Sequence, residues 1–199
     1  MSEVIDIYAK NVDGVWFGVA YEKENIYATT FTFSEKEVVN SLIGSIPFKT
    51  EFQRSEKPSA FAERTIALIK SVYDGKEIAS KVPLNMEHLS DLNRRVLEIT
   101  TMIPVGYLST YGTVANATGT APRAVGRMMA RNPFPPIVPC HRIVGSDFSL
   151  VGYGGGLDLK LAFLKREKRG YTSKREMSIN GKKLTIFPAE FALKKTEKK

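Results

Sequence analysis

Short alternating runs of apolar and polar residues dominate the first third of the chain. Residues 4–8, 15–20 and 26–31 each have the period of two that is typical of a β-strand with one buried face. Turn-forming and charged residues separate the three runs. The pattern therefore predicts a three-stranded antiparallel meander.

Two amphipathic segments follow the predicted meander. Ser34 and Glu37 have the spacing of a capping box, which predicts a helix that begins after Ser34. Residues 59–73 place apolar side chains at helical spacing and predict a second helix. Together with the meander, these helices predict an α/β domain over residues 1–83, which ends at a linker in residues 81–84.

Helical periodicity replaces strand alternation in residues 84–170, which we interpret as a second domain. Ser90 is a candidate N-cap for a helix whose apolar positions recur every three or four residues. Two shorter helices, residues 110–118 and 121–131, follow with a glycine-containing turn between them, which is the pattern of a helix-turn-helix. The second of these helices carries three cations on one side, at intervals of four residues: Arg123, Arg127 and Arg131.

Prolines and glycines determine the predicted backbone conformation in the remaining part of this domain. Four prolines among residues 133–139 exclude a helix and predict a stiff extended segment that leads to Cys140. Residues 151–157 form a glycine-rich loop in which the main chain can come close to a ligand. The last predicted helix of the domain covers residues 157–168.

The formal net charge of +8 is concentrated near the C-terminus. Residues 165–199 contain 12 basic and four acidic residues, and residues 99–146 contain four arginines and no acid. Positive surface of this kind favours a polyanionic partner such as nucleic acid. Two interpretations of the basic C-terminal extension at residues 171–199 stay open. It is either a solvated, frayed terminus or an electrostatic arm whose deletion lowers DNA affinity, mainly at low salt.

A single cysteine among 199 residues excludes an intramolecular disulfide and a cysteine-rich zinc site. We expect neither a metal nor a cofactor. The N-terminus lacks the basic and apolar regions of a signal peptide, and no apolar run reaches the length of a membrane-spanning helix. The expectation is an intracellular, cytoplasmic protein (nuclear in a eukaryote) without a membrane partner.

That cysteine, Cys140, stands directly before His141 and Arg142. A nucleophilic thiolate needs a neighbour that takes its proton and a charge that stabilises it, so the pattern indicates a reactive cysteine. A buried and inert thiol is the alternative. The Cys–His pair would also suit a hydrolase, whereas the predicted helix-turn-helix by itself would suit a DNA-binding regulator.

Several motifs within residues 92–168 have a characteristic order and spacing. They are Ile103-Pro104-x-Gly106, Thr110-Tyr111-Gly112, Pro122-Arg123-Ala124-Val125-Gly126, Arg131-Asn132-Pro133, Pro139-Cys140-His141-Arg142 and Tyr153-Gly154-Gly155-Gly156-Leu157. In these motifs the chain resembles the O6-alkylguanine-DNA alkyltransferases, also called methylated-DNA–protein-cysteine methyltransferases. The resemblance implies an N-terminal α/β domain of ribonuclease-H-like form, with an antiparallel sheet and helices. A mainly α, winged-helix-like domain with a helix-turn-helix would follow it.

The resemblance also implies a function, the direct reversal of DNA alkylation damage. A protein of this family binds double-stranded DNA containing O6-alkylguanine, with its helix-turn-helix in the minor groove, and rotates the damaged base into a pocket. The alkyl group then passes from O6 to the cysteine sulfur, and the stable thioether limits each molecule to one reaction. We expect the protein to act as a monomer.

Matching motif by motif assigns roles to individual residues. The resemblance implies Cys140 as the nucleophile, His141 as the base that draws its proton through a water molecule, Glu167 as the residue that holds His141, and Tyr153 as the donor to the departing guanine. The implied DNA-binding residues are Tyr111, Arg123, Ala124, Gly126, Met129 and Arg131. The residues implied to shape the pocket are Asn132, Pro139, Arg142, Val144 and Gly154, the last of which is serine in some members.

Cys140 and His141 are adjacent, which restricts how the two can cooperate. Neighbouring side chains of a regular strand point to opposite faces. Either the chain turns at this motif, or the two side chains communicate through water.

Overall fold

The computed structural model describes residues 4–78, 82–179 and 181–197. The chain folds into two compact units. The first unit contains Met1–Tyr73, Ile78–Leu89 and Pro133–Ile137, and the second contains Asp74–Glu77, Ser90–Asn132 and Val138–Lys199. Lys81, at the start of the predicted linker, lies outside the described residues.

The predicted meander of the first unit is confirmed. Strands β1 (Ile5–Val12), β2 (Val15–Glu22) and β3 (Asn25–Thr32) pair antiparallel in sequence order. A fourth strand that the alternation did not predict, β4 (Phe52–Arg54), pairs parallel to β1, so the sheet order is β3-β2-β1-β4. Apolar residues on one face of the sheet pack on the first helix and form a buried cluster: Ile5, Ile7, Ala20, Ala28, Val38 and Leu42.

Both predicted helices of this unit are present, as α1 (Glu35–Ser45) and α2 (Ala60–Tyr73). The predicted capping-box bond is not formed, although Ser34 is the N-cap residue of α1. Its side chain makes no capping hydrogen bond, and its backbone N–H donates to Oγ1 of Thr32 at 3.0 Å. Thr32 therefore satisfies the donor that Glu37 would accept in a capping box.

The proline segment turns instead of running straight. Residues 133–139 form successive turns and bends, with a cis peptide bond between Pro135 and Pro136. The carbonyl groups of Pro133 and Pro135 accept hydrogen bonds from the backbone N–H and the hydroxyl of Thr29, each at 2.9 Å. The expectation of an extended segment was wrong. Proline excludes a helix and cannot donate a hydrogen bond to a neighbouring strand, but it is equally suited to turns.

The second unit begins with the helices that the sequence predicted. Ser90 caps α3 (Asp91–Thr101), accepting from the N–H of Asn93 at 3.3 Å. After β5 (Tyr107–Thr110), α4 (Tyr111–Thr118) ends at Gly119, whose φ of 73° is in the left-handed region that favours glycine. Helix α5 (Pro122–Ala130) follows after three residues, and α6 (Leu157–Arg166) comes later.

A four-stranded sheet completes the second unit, and most of it comes from the predicted extension. Strands β7 (Arg175–Ile179) and β8 (Lys182–Pro188) pair antiparallel, and β8 continues antiparallel to β5. The short strand β6 (Ile143–Val144) pairs parallel to β5, which gives the order β6-β5-β8-β7.

The final helix, α7 (Glu190–Glu197), supplies part of the core of the second unit. This core cluster consists of Leu108, Val144, Leu164, Ala189, Ala192 and Leu193. Residues 171–197 are therefore folded and not a frayed terminus, and the second unit is less purely α-helical than expected. In residues 182–188 the alternation of buried and more exposed residues is short and begins with two lysines. The sequence therefore did not indicate a strand with one buried face here.

Candidate functional site

Cys140 begins a single 3₁₀ turn, Cys140–Arg142, so the chain does turn at the motif. The turn is held by hydrogen bonds from the N–H of Cys140 to the carbonyl of Val138 (2.8 Å) and from the N–H of Arg142 to that of Pro139 (2.9 Å). Cys140 remains 7% exposed and His141 is fully buried. Cys140 is thus almost buried but still lines an open groove, while the imidazole of His141 lies inside the protein.

Glu167 holds the imidazole in place. Nε2 of His141 lies 2.8 Å from Oε1 of Glu167, and its ring stacks on Phe163 with 4.4 Å between the ring centroids. Nδ1 of His141 is buried and makes no hydrogen bond to any described residue. Because the carboxylate accepts from Nε2–H, Nδ1 of the neutral ring is the nitrogen that can take up a proton.

Arg142 binds the same carboxylate from the other side. Its Nε donates to Oε2 of Glu167 at 2.9 Å, one terminal nitrogen donates to Oε1 at 2.8 Å, and the other donates to the carbonyl of Ile103 at 2.5 Å. This is a buried bidentate pair, the strongest arrangement available to arginine and a carboxylate. Arg142 therefore fixes Glu167, and Glu167 fixes His141.

The charges of this triad follow from its burial and its contacts. Burial alone would raise the pKa of Glu167, but the charges of His141 and Arg142 and their hydrogen bonds outweigh it and hold the pKa at about 2. Burial lowers the pKa of His141 despite the opposing attraction of Glu167. At neutral pH the site therefore contains an anionic Glu167 and a neutral His141, which is the form that acts as a base.

Burial also raises the pKa of the Cys140 thiol, which keeps it protonated at neutral pH. A hydrogen bond from the side chain of Asn132 and the charge of Lys160 oppose this rise. Asn132 itself is anchored, since its Nδ2 donates to the carbonyl of Val138 at 2.9 Å. Cys140 thus needs a base to become a thiolate, and neighbouring groups favour the charged form once it exists.

Lys160 is a site residue that the sequence reasoning missed. It is fully buried in α6, and its Nζ donates to the carbonyls of Ile143 (2.6 Å) and Val151 (2.8 Å). Burial lowers its pKa to about 8, against the attraction of Cys140. A signal did exist: Lys160 and Glu167, the C-cap residue of α6, are seven residues apart and in phase with buried Phe163 and Leu164, so both are on the inner side of this segment.

Two tyrosines line the entrance to the thiol. The hydroxyl of Tyr111 donates to the carbonyl of Gly152 at 3.2 Å, which joins the start of α4 to the glycine-rich loop. Burial, together with the nearby Cys140, raises the pKa of Tyr111 to about 12. Burial and the nearby Cys140 and Glu167 also raise the pKa of Tyr153. Both hydroxyls stay protonated at neutral pH and can donate hydrogen bonds.

An open groove of about 800 Å³ connects Cys140 with α5. Within the second unit, the groove is lined by the two tyrosines, the glycine-rich loop and one side of α5. The lining residues are Tyr111, Pro122, Arg123, Gly126, Arg127, Met129, Ala130, Cys140, Val151, Gly152, Tyr153 and Gly154.

Most of the residues singled out from the sequence meet at this groove or directly behind it. Seven of the predicted residues line it: Tyr111, Arg123, Gly126, Met129, Cys140, Tyr153 and Gly154. Behind it, His141, Arg142 and Glu167 form the buried triad, while Pro139 and Val144 are buried beside the thiol turn. Ala124 and Arg131 belong to α5 and its C-cap but do not line the groove, and Arg131 is exposed.

Neither a metal cluster nor a membrane span is found in the described residues. No group of three or more His, Cys, Asp or Glu side chains in residues 4–78, 82–179 and 181–197 is placed to hold a metal ion. None of the helices in these ranges combines the length and the apolar character that crossing a bilayer requires.

Comparison with known proteins connects this geometry to one family. Residues 91–169 match the model of the 6-O-methylguanine DNA methyltransferase, DNA binding domain. The methylated-DNA–protein-cysteine methyltransferase of Methanocaldococcus jannaschii is 30% identical over 162 residues, which cover 81% of this chain and 93% of the relative.

Two solved structures share the fold. The O6-methylguanine-DNA methyltransferase of Pyrococcus kodakaraensis is 28% identical, with a TM-score of 0.62, and the match covers 82% of this chain and 99% of that one. Mycobacterium tuberculosis OGT in complex with DNA is 25% identical, with a TM-score of 0.66 and coverage of 82% and 92%. The chain therefore belongs to the family of methylated-DNA–protein-cysteine methyltransferases.

Proposed function

We propose that the protein repairs duplex DNA by transferring an alkyl group from O6 of guanine to Sγ of Cys140, once per molecule, after the damaged base has rotated out of the helix. One observation carries the proposal. The only thiol of the chain lies at the inner end of an open groove, between a buried base and a helix with a basic side.

The chemical step is a displacement at the alkyl carbon. Sγ of Cys140 forms a bond to that carbon while the bond from the carbon to O6 breaks, and the electron pair of the broken bond stays on the guanine. The proton of the thiol passes, through water, to Nδ1 of His141. The imidazolium that results is stabilised by Glu167, 2.8 Å from its other nitrogen.

The departing guanine must gain a proton or hydrogen bonds to become a good leaving group. Tyr153 lines the groove, and its raised pKa keeps its hydroxyl protonated, so it acts as a hydrogen-bond donor to the base. The proton that His141 has taken up returns to the guanine through the solvent. Protons and charges then balance, and the products are a thioether and an ordinary guanine.

The groove also suits the base and the DNA that carries it. A guanine inside a duplex is stacked and paired, so a thiol in a recess reaches its O6 substituent only after the base has left the stack, which costs a few kcal/mol. Arg123 is exposed on the first turn of α5 and lines the groove, where it can occupy the space that the base vacates. Gly126, which lines the same groove, keeps this side of the helix narrow enough for the minor groove.

The α4–α5 pair acts in this proposal as a helix-turn-helix on DNA of any sequence. The minor groove distinguishes base pairs poorly, and phosphate contacts carry no sequence information. Low sequence specificity fits a repair protein and disfavours a sequence-specific regulator. The thioether product is stable to hydrolysis, so each reaction consumes one protein molecule. The proposed steps use neither a cofactor nor a second subunit, so a monomer is sufficient.

The replacement Cys140→Ser separates reaction from binding. We expect the variant to bind a duplex containing O6-methylguanine with an affinity close to that of the unaltered protein, and to restore no guanine. Methyl transfer by the variant would exclude Cys140 as the acceptor. Repeated turnover of an ester or amide by the unaltered protein would instead support the Cys–His hydrolase.

A further inference from the structure

We propose that the antiparallel pair β7–β8 is a second DNA-binding element, in which Lys182 binds a backbone phosphate next to the α4–α5 turn. The inference rests on the proposed DNA function and extends it to a part of the chain that follows the family match at residues 91–169. We refer to the β7–β8 pair, Arg175–Ile179 and Lys182–Pro188, as the wing.

The wing is fixed to the second unit by both backbone and side-chain contacts. In β8, Phe187 pairs with Leu108 and Pro188 pairs with Tyr107 of β5. The hydroxyl of Ser109 donates to the carbonyl of Thr185 at 2.9 Å. The wing therefore has a defined position relative to β5 and to α4, which begins directly after β5.

The alternation along β8 determines where Lys182 lies. Leu184 and Ile186 are buried, and residues two apart in a strand share a face, so Lys182 continues this inner face at the end of the strand. That position brings it to the α4–α5 turn: a Cβ built on Gly119 would lie 3.3 Å from Nζ of Lys182. The backbone of the turn and an exposed ammonium group thus adjoin each other.

The charges around this point are one-sided. Residues 99–146, which include α4 and α5, contain no acid. No carboxylate of the described part of the chain pairs with Lys182, whereas Lys183, on the opposite face, pairs with Glu176 at 3.1 Å. Arg175 lies over the rings of Tyr107 and Tyr171, with 4.9 Å and 5.6 Å from its Cζ to the centroids.

These observations favour a phosphate as the ligand of Lys182. In the proposed complex α5 follows the groove of the duplex, so the turn that precedes it lies near the sugar–phosphate backbone. A cation fixed beside that turn meets a phosphate without changing sequence preference, since phosphate contacts position a protein and do not read bases. The wing would therefore strengthen binding to damaged and undamaged duplex alike.

The test compares three single substitutions in the full chain: Lys182→Gln, Lys182→Arg and, as the matched control, Lys194→Gln. Lys194 is exposed on α7, which begins beyond the other end of β8, about 20 Å along the strand from Lys182. Each glutamine variant removes one charge from an exposed position. Thermal unfolding curves that match the unaltered protein establish that all three variants are folded.

The readout is the dissociation constant for undamaged duplex, measured from about 50 to 200 mM salt. One lost phosphate contact lowers the slope of log K against log salt by about 0.9. The affinity ratio between the unaltered protein and Lys182→Gln should therefore shrink about threefold to fourfold over this range. Lys182→Arg and Lys194→Gln should keep the original slope.

A Lys182→Gln slope equal to that of the control would overturn the proposal and leave the wing with a purely structural role. The proposed function is tested separately by the unaltered protein, through methyl transfer to Cys140 and through binding to duplex. If the unaltered protein repairs and binds DNA while Lys182→Gln behaves like Lys194→Gln, only the wing proposal fails.

Discussion

The contacts of His141 leave only one of its ring nitrogens able to accept a proton. Its Nε2 is bound to Glu167, its ring is stacked on Phe163, and burial keeps it neutral. A neutral imidazole with one bound nitrogen has only Nδ1 available as a base. Burial keeps the thiol of Cys140 protonated at neutral pH, so Cys140 depends on that base to form a thiolate.

Replacing the base should change how the reaction depends on pH. In His141→Asn the thiolate must form by direct ionisation, so the transfer rate should fall at pH 7 and then rise about tenfold per pH unit until the thiol pKa is reached. The unaltered protein should show a much weaker dependence over the same range. Single-turnover rates from pH 6 to 9 measure this difference. Parallel profiles for the two proteins would show that His141 does not take the proton of the thiol.

Glu167 should make stability depend on acidity. Its folded pKa of about 2 lies below the ordinary value of 4.5, so the folded state favours the carboxylate. The stabilisation is complete above pH 4.5 and is lost as the pH falls toward 2, and by linkage it amounts to about 3 kcal/mol. Urea unfolding between pH 7 and 2.5 should show Glu167→Gln less stable at pH 7 and converging with the unaltered protein in acid.

Glu98→Gln, at an exposed position of α3, is the control for that experiment and should follow the unaltered protein at every pH. If the difference between Glu167→Gln and the unaltered protein stayed constant with pH, the carboxylate of Glu167 would not be the titrating group.

Lys160 should act through the loop that it holds. Lys160→Met keeps the length of the side chain but removes the donor to the carbonyls of Ile143 and Val151, and the loss at the buried carbonyl of Ile143 alone should cost about 1–3 kcal/mol. The loop with Tyr153 should loosen, and alkyl transfer should slow. Lys165→Met, at an exposed position of the same helix, should change neither the free energy of unfolding nor the rate. Equal effects of the two replacements would contradict a specific role of Lys160.

The sequence showed which residues could react, but less about how they are held. The adjacency of Cys140, His141 and Arg142 indicated a reactive thiol, and the family resemblance added Glu167. That Arg142 clamps Glu167 was not visible, since 25 residues separate them and only the fold brings them together. Lys160 escaped notice because a lysine in an amphipathic helix is normally a surface residue.

The glycine-rich loop contains one glycine that a larger residue can replace and one that it cannot replace without strain. A Cβ added to Gly154 would have no heavy atom within 4 Å, and the φ of Gly154 is not positive. Gly154→Ser should therefore change the free energy of unfolding by less than about 0.5 kcal/mol. Gly156 has φ 85° and ψ 158°, a region that is nearly restricted to glycine. Gly156→Ser should therefore cost about 1–3 kcal/mol. Thermal unfolding of the two variants compares them, and equal destabilisation would contradict this conformation of the loop.

The C-terminal elements should be essential to folding. Deleting residues 171–199 removes β7, β8 and α7, and with them buried Leu184, Ile186 and Leu193. Large apolar side chains contribute about 2–5 kcal/mol each when buried, so the truncated second unit should unfold or aggregate. Circular dichroism and thermal unfolding report this outcome. A truncated protein that stays folded and differs only in the salt dependence of DNA binding would instead support an electrostatic arm that folding does not require.

Elements with a strong period or a clear cap were predicted, and short ones were not. The meander, α3, α4, α5 and α6 were found within a few residues of their predicted bounds. Strand β4 has three residues, and β8 hides its alternation among lysines, so neither produced a pattern. The proline segment was misjudged because proline excludes structures without selecting one.

In the whole molecule, DNA binding and alkyl transfer are separable steps of the proposed mechanism. Arg123→Ala should slow transfer from duplex much more than transfer from free O6-methylguanine, because in the proposed mechanism Arg123 fills the space of the rotated base and takes no part in the transfer step. Rates with both substrates test this, with Arg95→Ala, an exposed position of α3, as the control. Equal losses on duplex and free base would remove Arg123 from base rotation.

Whether Cys140 accepts the alkyl group is decided by the mass of the intact protein after incubation with a duplex that carries one O6-methylguanine. We predict one added methyl group per molecule, located on Cys140 by peptide mapping, with guanine restored in the oligonucleotide and no second turnover. An unchanged mass of a folded, reduced protein, or a methyl group on another residue, would contradict the account.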